Sequence, residues 1–246
     1  MRRELTESLM PQPAIMRAIE PPGRPSVSDA VFDELYRQIL ALDLPPGTRL
    51  SEVDVARAMG VSRQPVRDAF WRLSKLGFLT IRPQRATTVS NISEEAVMQA
   101  RFIRSAIEAE TVRVFTERAS DADLAALDDI LTAQRAAVAD RNRALFHELD
   151  DQFHREICAR GGNGFAWDII RENKAHMDRV RLLSLAFGSQ DAFDDHLRVM
   201  EAIRSRDPEQ AMSEMRAHLE RIRSQIQRIR AENASYFEAL ADGPAP

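Results

Sequence analysis

The chain has 246 residues, 44% hydrophobic and 29% charged, with 34 Lys+Arg against 38 Asp+Glu for a formal net charge of −4. That is the make-up of a globular protein with chain enough for one large domain or two modest ones, and it excludes disorder or a collagen-like repeat as the main state. The single cysteine, Cys158, excludes an intramolecular disulfide; no apolar run reaches the roughly 18 residues of a membrane span; and no apolar core follows Met1-Arg2-Arg3 as in a signal peptide, so the expected location is the cytoplasm.

Charge is unevenly placed. Residues 57–85 carry seven basic residues against Asp68 alone, whereas residues 86–246 carry a net of −7. A small basic segment on a larger acidic one suggests two jobs, the first of them meeting a polyanion. A merely solvated basic face is the alternative on charge alone.

Residues 1–25, with five prolines, read as a mobile tail. From Ser28, a candidate N-cap, Val31, Leu35, Ile39 and Leu42 form one helical stripe that Pro45-Pro46-Gly47 ends. Ser51 and Asp54 have the form of a capping box for a second helix, which Gly60 breaks. Ser62 caps a third, with Pro65 in its first turn and Gly77 closing it. Extended pieces at 78–82 and 87–90 flank Pro83-Gln84-Arg85-Ala86. Two helices across a tight turn followed by a hairpin make a winged helix-turn-helix over residues 26–90. Arg63, Gln64 and Arg67 sit at the start of the third helix, where side chains reach base edges in a major groove. Arg can pair with guanine and Gln with adenine.

The remainder reads as helix throughout. Helices are predicted from Ser93, from Ser120, over about 142–160, about 165–186 (ended by Gly188-Ser189-Gln190), about 191–205, and from Asp207-Pro208 to about 236. The fold class is therefore mainly α: a winged helix-turn-helix with a small β-hairpin wing, then an all-α antiparallel bundle of six or seven helices over 93–236, with 237–246 as a tail.

All five histidines lie between residues 147 and 218. Asp150 and His154 share a helix face at i, i+4. His196 and His218 are each 11 residues from Asp207, so in an antiparallel hairpin they come level. One carboxylate and three imidazoles suit a divalent metal such as zinc, nickel or manganese. His147, seven residues before His154, and Asp151, next to Asp150, compete for places in this set. Satisfied or exposed histidines are the bland alternative.

The runs Pro46-Gly47-Thr48-Arg49-Leu50-Ser51-Glu52, Met59 to Ala69 and Arg72-Leu73 resemble the DNA-binding domain of the GntR family of bacterial transcription regulators. The resemblance implies operator contacts by Arg63 and Arg67 and a wing in the adjacent groove; Arg49 and Arg85 join Gln64 as further candidates. Ala86 stands where family members often carry a wing glycine, and Val53 where some place a DNA-contacting arginine. Leu149 to His154, Asn163, Asp195-His196 and His218 resemble the FCD ligand-binding domain of the FadR subfamily. That resemblance implies a metal held by Asp150, His154, His196 and His218, with open positions for water or a small carboxylate effector. It also implies effector contacts by Arg104 and Asn163, although Arg104 could instead pair with Glu108, its i+4 neighbour. The expectation is a homodimeric regulator, a repressor by preference, binding double-stranded operator DNA. A metal-dependent hydrolase or lyase is the alternative.

Overall fold

The computed structural model describes residues 26–82 and 86–239. The expected N-terminal tail, the wing tip with Arg85, and the last seven residues lie outside that range.

Three helices and a three-stranded sheet form the first domain: α1 (Val27–Leu40), β1 (Arg49–Leu50), α2 (Glu52–Met59), α3 (Arg63–Lys75), β2 (Leu79–Thr80) and β3 (Thr87–Val89). The cap of α1 is Ser26 rather than Ser28. Its hydroxyl accepts from the Asp29 amide while the Asp29 carboxylate accepts from the Ser26 amide, so both ends of the box close. Ser51 caps α2, and Gly60 ends it at φ 67°, a left-handed turn that suits a residue without Cβ. Ser62 stands at the N-cap of α3 but makes no side-chain cap bond. The wing is more than a hairpin. Arg49 pairs with Thr88 and Leu50 with Thr87, so β1 joins β2 and β3 antiparallel in the order β1-β3-β2. Leu35, Ile39, Val66, Phe70 and Leu73 fill the core beneath.

The second domain is α4 (Glu94–Arg118), α5 (Asp121–Ala139), α6 (Arg143–Arg160), α7 (Gly164–Arg204) and α8 (Pro208–Glu232), followed by a 3-10 turn at Ala234–Tyr236. The bundle thus holds five α-helices among the described residues, not six or seven. The predicted break at Gly188 does not occur, and the two helices expected around it are one helix of 41 residues. Gly188 faces α8: a Cβ there would meet the Gln225 side-chain amide at 3.0 Å. Next to it, Ser189 Oγ donates to the Leu185 carbonyl at 2.9 Å within the continuous helix.

The expected tail at 237–246 is also corrected at its start. Phe237 is buried, and residues 236–238 pair with the interdomain connection, Ile92 N donating to Tyr236 O and Glu238 N to Ile92 O. On α4 the buried face runs Val97, Ala100, Arg104, Glu108, Val112 and Phe115, with Ile103 and Ile107 half-buried, which puts an ion pair inside the bundle.

The domains meet along α7. Ala175 joins the core of the first domain, His176 Nε2 lies 2.9 Å from the Leu76 carbonyl oxygen, and Arg179 donates to the Ser90 carbonyl at 2.8 Å.

Candidate functional site

Two chemically distinct surfaces emerge. On α3, Val66, Ala69, Phe70 and Leu73 face inward, which turns Arg63, Gln64 and Arg67 to solvent on the first two turns. The two arginines are not independent. Glu52, at the start of α2, holds both at 3.2 Å, and its carboxyl sits below the usual range because Arg67, and then Arg63, bond to it. Gln64 Nε2 donates to Asp68 Oδ1 at 2.9 Å. Arg49 is exposed on β1, opposite Thr88 of the wing. Basic side chains on a helix N-terminus beside a wing can meet phosphates and base edges together.

The second centre lies inside the bundle. Asp150 and His154 of α6, His196 of α7 and His218 of α8 are buried, and one ligand atom from each lies within 4.8 Å of the others. Imidazole centroids are 4.7 Å apart for His196 and His218, 5.2 Å for His154 and His218, and 5.3 Å for His154 and His196. Each ring has an acceptor behind its Nδ1. Glu108 Oε2 lies 2.5 Å from His154, Gln134 Oε1 2.8 Å from His196, and Asp195 Oδ2 3.4 Å from His218. An Nδ1–H held from behind leaves the Nε2 lone pair facing inward. His154 Nδ1 meets Glu108 as a close contact without hydrogen-bond geometry, and the buried His154 Nε2 and His196 Nε2 have no hydrogen-bond partner. They stand 3.9 and 3.5 Å from the two Asp150 oxygens. Burial, and then the neighbouring His218, push His196 well below the ordinary imidazole value, and burial lowers His218. Burial opposes ionisation of Asp150, but Arg181 and the histidines outweigh it and hold the carboxyl well below 3.8. Three imidazoles, an ionised carboxylate and orphaned inward nitrogens are the donor set a borderline divalent ion takes.

Two arginines border this centre. Arg181 of α7 pairs with Asp150 itself. Arg104 bonds Glu108 through Nε at 2.5 Å, as its i+4 spacing allows, while its buried Nη1 has no hydrogen-bond partner. A cavity of about 30 Å³ adjoins His218, lined also by Arg181, Ser184, Gly188, Arg221 and Gln225. That is room for a water or an ion. Asn163 is elsewhere: it stands in the α6–α7 turn with Nδ2 donating to the Gly161 carbonyl, so its geometry gives no support to an effector contact.

His147 and Asp151 do not compete for the four-ligand set. They gather with Asp178 in a second cluster, where the Lys174 ammonium bridges Asp151 at 2.8 Å and Asp178 at 2.6 Å and supplies the compensating charge. The sequence pointed to the Arg104–Glu108 pair, but it did not show Glu52, Gln134 or Arg181 as supporting residues, nor Glu108 and Asp195 behind the histidine rings.

A basic helix-turn-helix docked on a bundle with a buried polar centre defines a two-domain DNA-binding regulator. The comparisons with known proteins agree. Residues 27–89 match the description "Bacterial regulatory proteins, gntR family" and residues 99–221 match the FCD domain. The chain is 36% identical over 213 residues to the HTH-type transcriptional repressor RspR of Escherichia coli strain K12, covering 86% of this chain and 93% of RspR. It is 31% identical over 217 residues to an HTH-type transcriptional regulator of Streptomyces ambofaciens, covering 87% and 91%. The fold is similar to that of E. coli McbR/YncC, with a TM-score of 0.68 and 21% identity over 84% of this chain and 98% of that one. The chain belongs to the GntR family and carries an FCD domain. It is a DNA-binding transcriptional regulator, and the hydrolase or lyase reading is set aside. Among the described residues no helix is long and apolar enough to cross a membrane.

Proposed function

We propose that this is a FadR-subfamily repressor acting in the cytoplasm, whose hold on operator DNA is set by a small carboxylate effector at a metal centre in the bundle. Asp150, His154, His196 and His218 would hold the ion, and zinc, nickel and manganese all suit this donor set. A bound divalent ion supplies open coordination positions to a carboxylate. The protein's part is to orient three rings through Glu108, Gln134 and Asp195, and to offer the free Arg104 Nη1 to the incoming anion. The observation that carries the reading is the pair of buried, unpartnered Nε2 atoms of His154 and His196 facing the Asp150 carboxylate, because an orphaned buried polar atom is costly unless something occupies the space between. The 30 Å³ cavity is smaller than a metabolite, so entry requires α7 and α8 to part near Gly188 and Gln225. Two-fold symmetric DNA sites favour a homodimer. RspR is named a repressor, which favours that sign of control here.

The test is elemental analysis of the purified protein, followed by titration of its DNA complex with a panel of small mono- and dicarboxylates, with and without metal. A carboxylate should shift the binding curve only in the metal-loaded protein, and His154→Ala should abolish the shift. Curves that coincide for the whole panel in loaded protein would exclude the effector reading. A shift that survives chelation would exclude the metal's part in it.

A further inference from the structure

The outward side of α3 carries one large group that the fold leaves unused. Trp71 is 60% exposed, whereas the only other tryptophan, Trp167, is 8% exposed. Val66, Ala69, Phe70 and Leu73 already fill the inward side of this helix. Trp71 instead stands four residues after Arg67 and four before Lys75, in one row along the exposed face. The Lys75 ammonium lies 5.6 Å from the indole centroid. The free chain gains no core packing from this indole, yet it is flanked by cations in a row that starts beside Arg63 and Gln64. A row of cation, indole, cation fits a polyanion with an apolar surface between its charges, which is what the sugar–phosphate backbone offers.

The register places it. From Arg63 to Trp71 the helix advances by about 12 Å, and the major groove is about 12 Å wide. With the first turn of α3 over the base edges, residue 71 reaches the groove wall, where deoxyribose and phosphate run. We propose that Trp71 is a DNA-contacting residue whose ring packs on a wall sugar and whose Nε1–H donates to a phosphate, with Lys75 on the next phosphate. Such a contact fixes how deep and at what angle the helix lies without reading a base.

The experiment uses full-length Trp167→Phe protein, in which Trp71 is the sole tryptophan, and two duplexes: one selected from a random pool by the wild-type protein, one of unrelated sequence. Either duplex should protect the indole from acrylamide quenching. In the otherwise wild-type chain, Trp71→Ala should weaken both complexes by about tenfold, with the salt dependence unchanged because the indole is uncharged. Lys75→Ala should weaken both and lower the salt slope by about one. Equal quenching in free and bound protein, or wild-type affinity in Trp71→Ala, would overturn the proposal. So would protection that grows with protein concentration in the absence of DNA, which would assign the indole to a second copy. A loss confined to the selected duplex would replace the backbone contact with base reading.

Discussion

His176 Nε2 lies 2.9 Å from the carbonyl oxygen of Leu76, 100 residues earlier in the chain, and the imidazole stacks on Phe78 at 4.6 Å. Leu76 is the C-cap of α3, so the bundle's longest helix holds the rear end of the helix that faces DNA. Gly77 adjoins the same ring; a Cβ there would meet it at 3.3 Å, and the φ of +78° also favours glycine. Five residues further along α7, Arg181 pairs with Asp150. The same helix therefore touches both the Asp150 centre and the DNA-binding domain, so a displacement of α7 would reach α3 through this contact.

That contact should be pH-sensitive. The carbonyl of Leu76 can only accept, so Nε2 carries the proton and Nδ1 faces Arg179 Nη2 at 3.3 Å as an acceptor. The neutral ring satisfies both neighbours. Burial, and then the Arg179 guanidinium, lower the imidazole below its ordinary 6.5. With the folded value below the unfolded one, this stabilisation is complete above about pH 6.5 and is lost as the pH falls through the folded value. Thermal unfolding between pH 5 and 8 should show wild type losing more Tm on acidification than His176→Gln. Parallel profiles would assign the acid sensitivity to other groups.

Arg181 should compete with a metal ion for Asp150. In the chain as described, the guanidinium occupies the carboxylate that the metal would need. Arg181→Gln should raise zinc affinity by about tenfold, since the ion no longer displaces a buried cation. It should also cost the metal-free protein about 3 kcal/mol, the usual penalty for breaking a buried pair. Calorimetric zinc titration and metal-free unfolding measure the two effects. Unchanged affinity would mean that Arg181 and the ion share Asp150 without conflict.

Much of this architecture was legible. Caps at Ser51, Ser93, Ser120 and Asp207 announce their helices through side-chain chemistry local to three or four residues. That Asp150, His154, His196 and His218 gather is visible because helical spacing and equal distance from a turn are one-dimensional properties. What failed depends on contacts between distant segments. Gly188 reads as a breaker, yet α7 runs through it, packed against α8. Strand β1 is two residues long and exists only through its pairing with β3. Gln134 shows its role only when α5 sets it beside His196. The Arg104–Glu108 pair is legible from its i, i+4 spacing, but its complete burial appears only once the bundle closes over it.

Arg67 should carry DNA affinity in a salt-dependent way. Its guanidinium is exposed and held near that of Arg63 by one carboxylate, so the pair is presented in a limited set of geometries. Arg67→Ala should weaken binding to a selected duplex by at least about tenfold. If it contacts phosphate, the salt slope falls by about one and unrelated duplexes weaken equally; if it reads a base, discrimination falls instead. Fluorescence anisotropy at several salt concentrations separates these outcomes, and unaltered binding at all of them would remove Arg67 from the interface.

Phe237 should hold the interdomain connection. Its side chain is 3% exposed and packs in a cluster with Ile92, Val97, Val180 and Ile229, while its carbonyl accepts from Asn91 Nδ2 at 3.0 Å. On either side, Ile92 N donates to Tyr236 O at 2.7 Å and accepts, through its carbonyl, from Glu238 N at 3.0 Å. The connection between β3 and α4 is thus fastened by a segment that follows the last α-helix, alongside Arg179 of α7, which donates to the Ser90 carbonyl. Phe237→Ala removes the aromatic anchor at a cost of about 3 kcal/mol. That loss should fall on local opening before global unfolding, because the bundle core of Phe115, Phe146 and Phe153 is elsewhere. Hydrogen exchange at the Ile92 amide should then accelerate by about a hundredfold while amides in α5 and α6 keep their protection. Equal acceleration throughout would show that Phe237 supports the whole bundle rather than the joint between the domains.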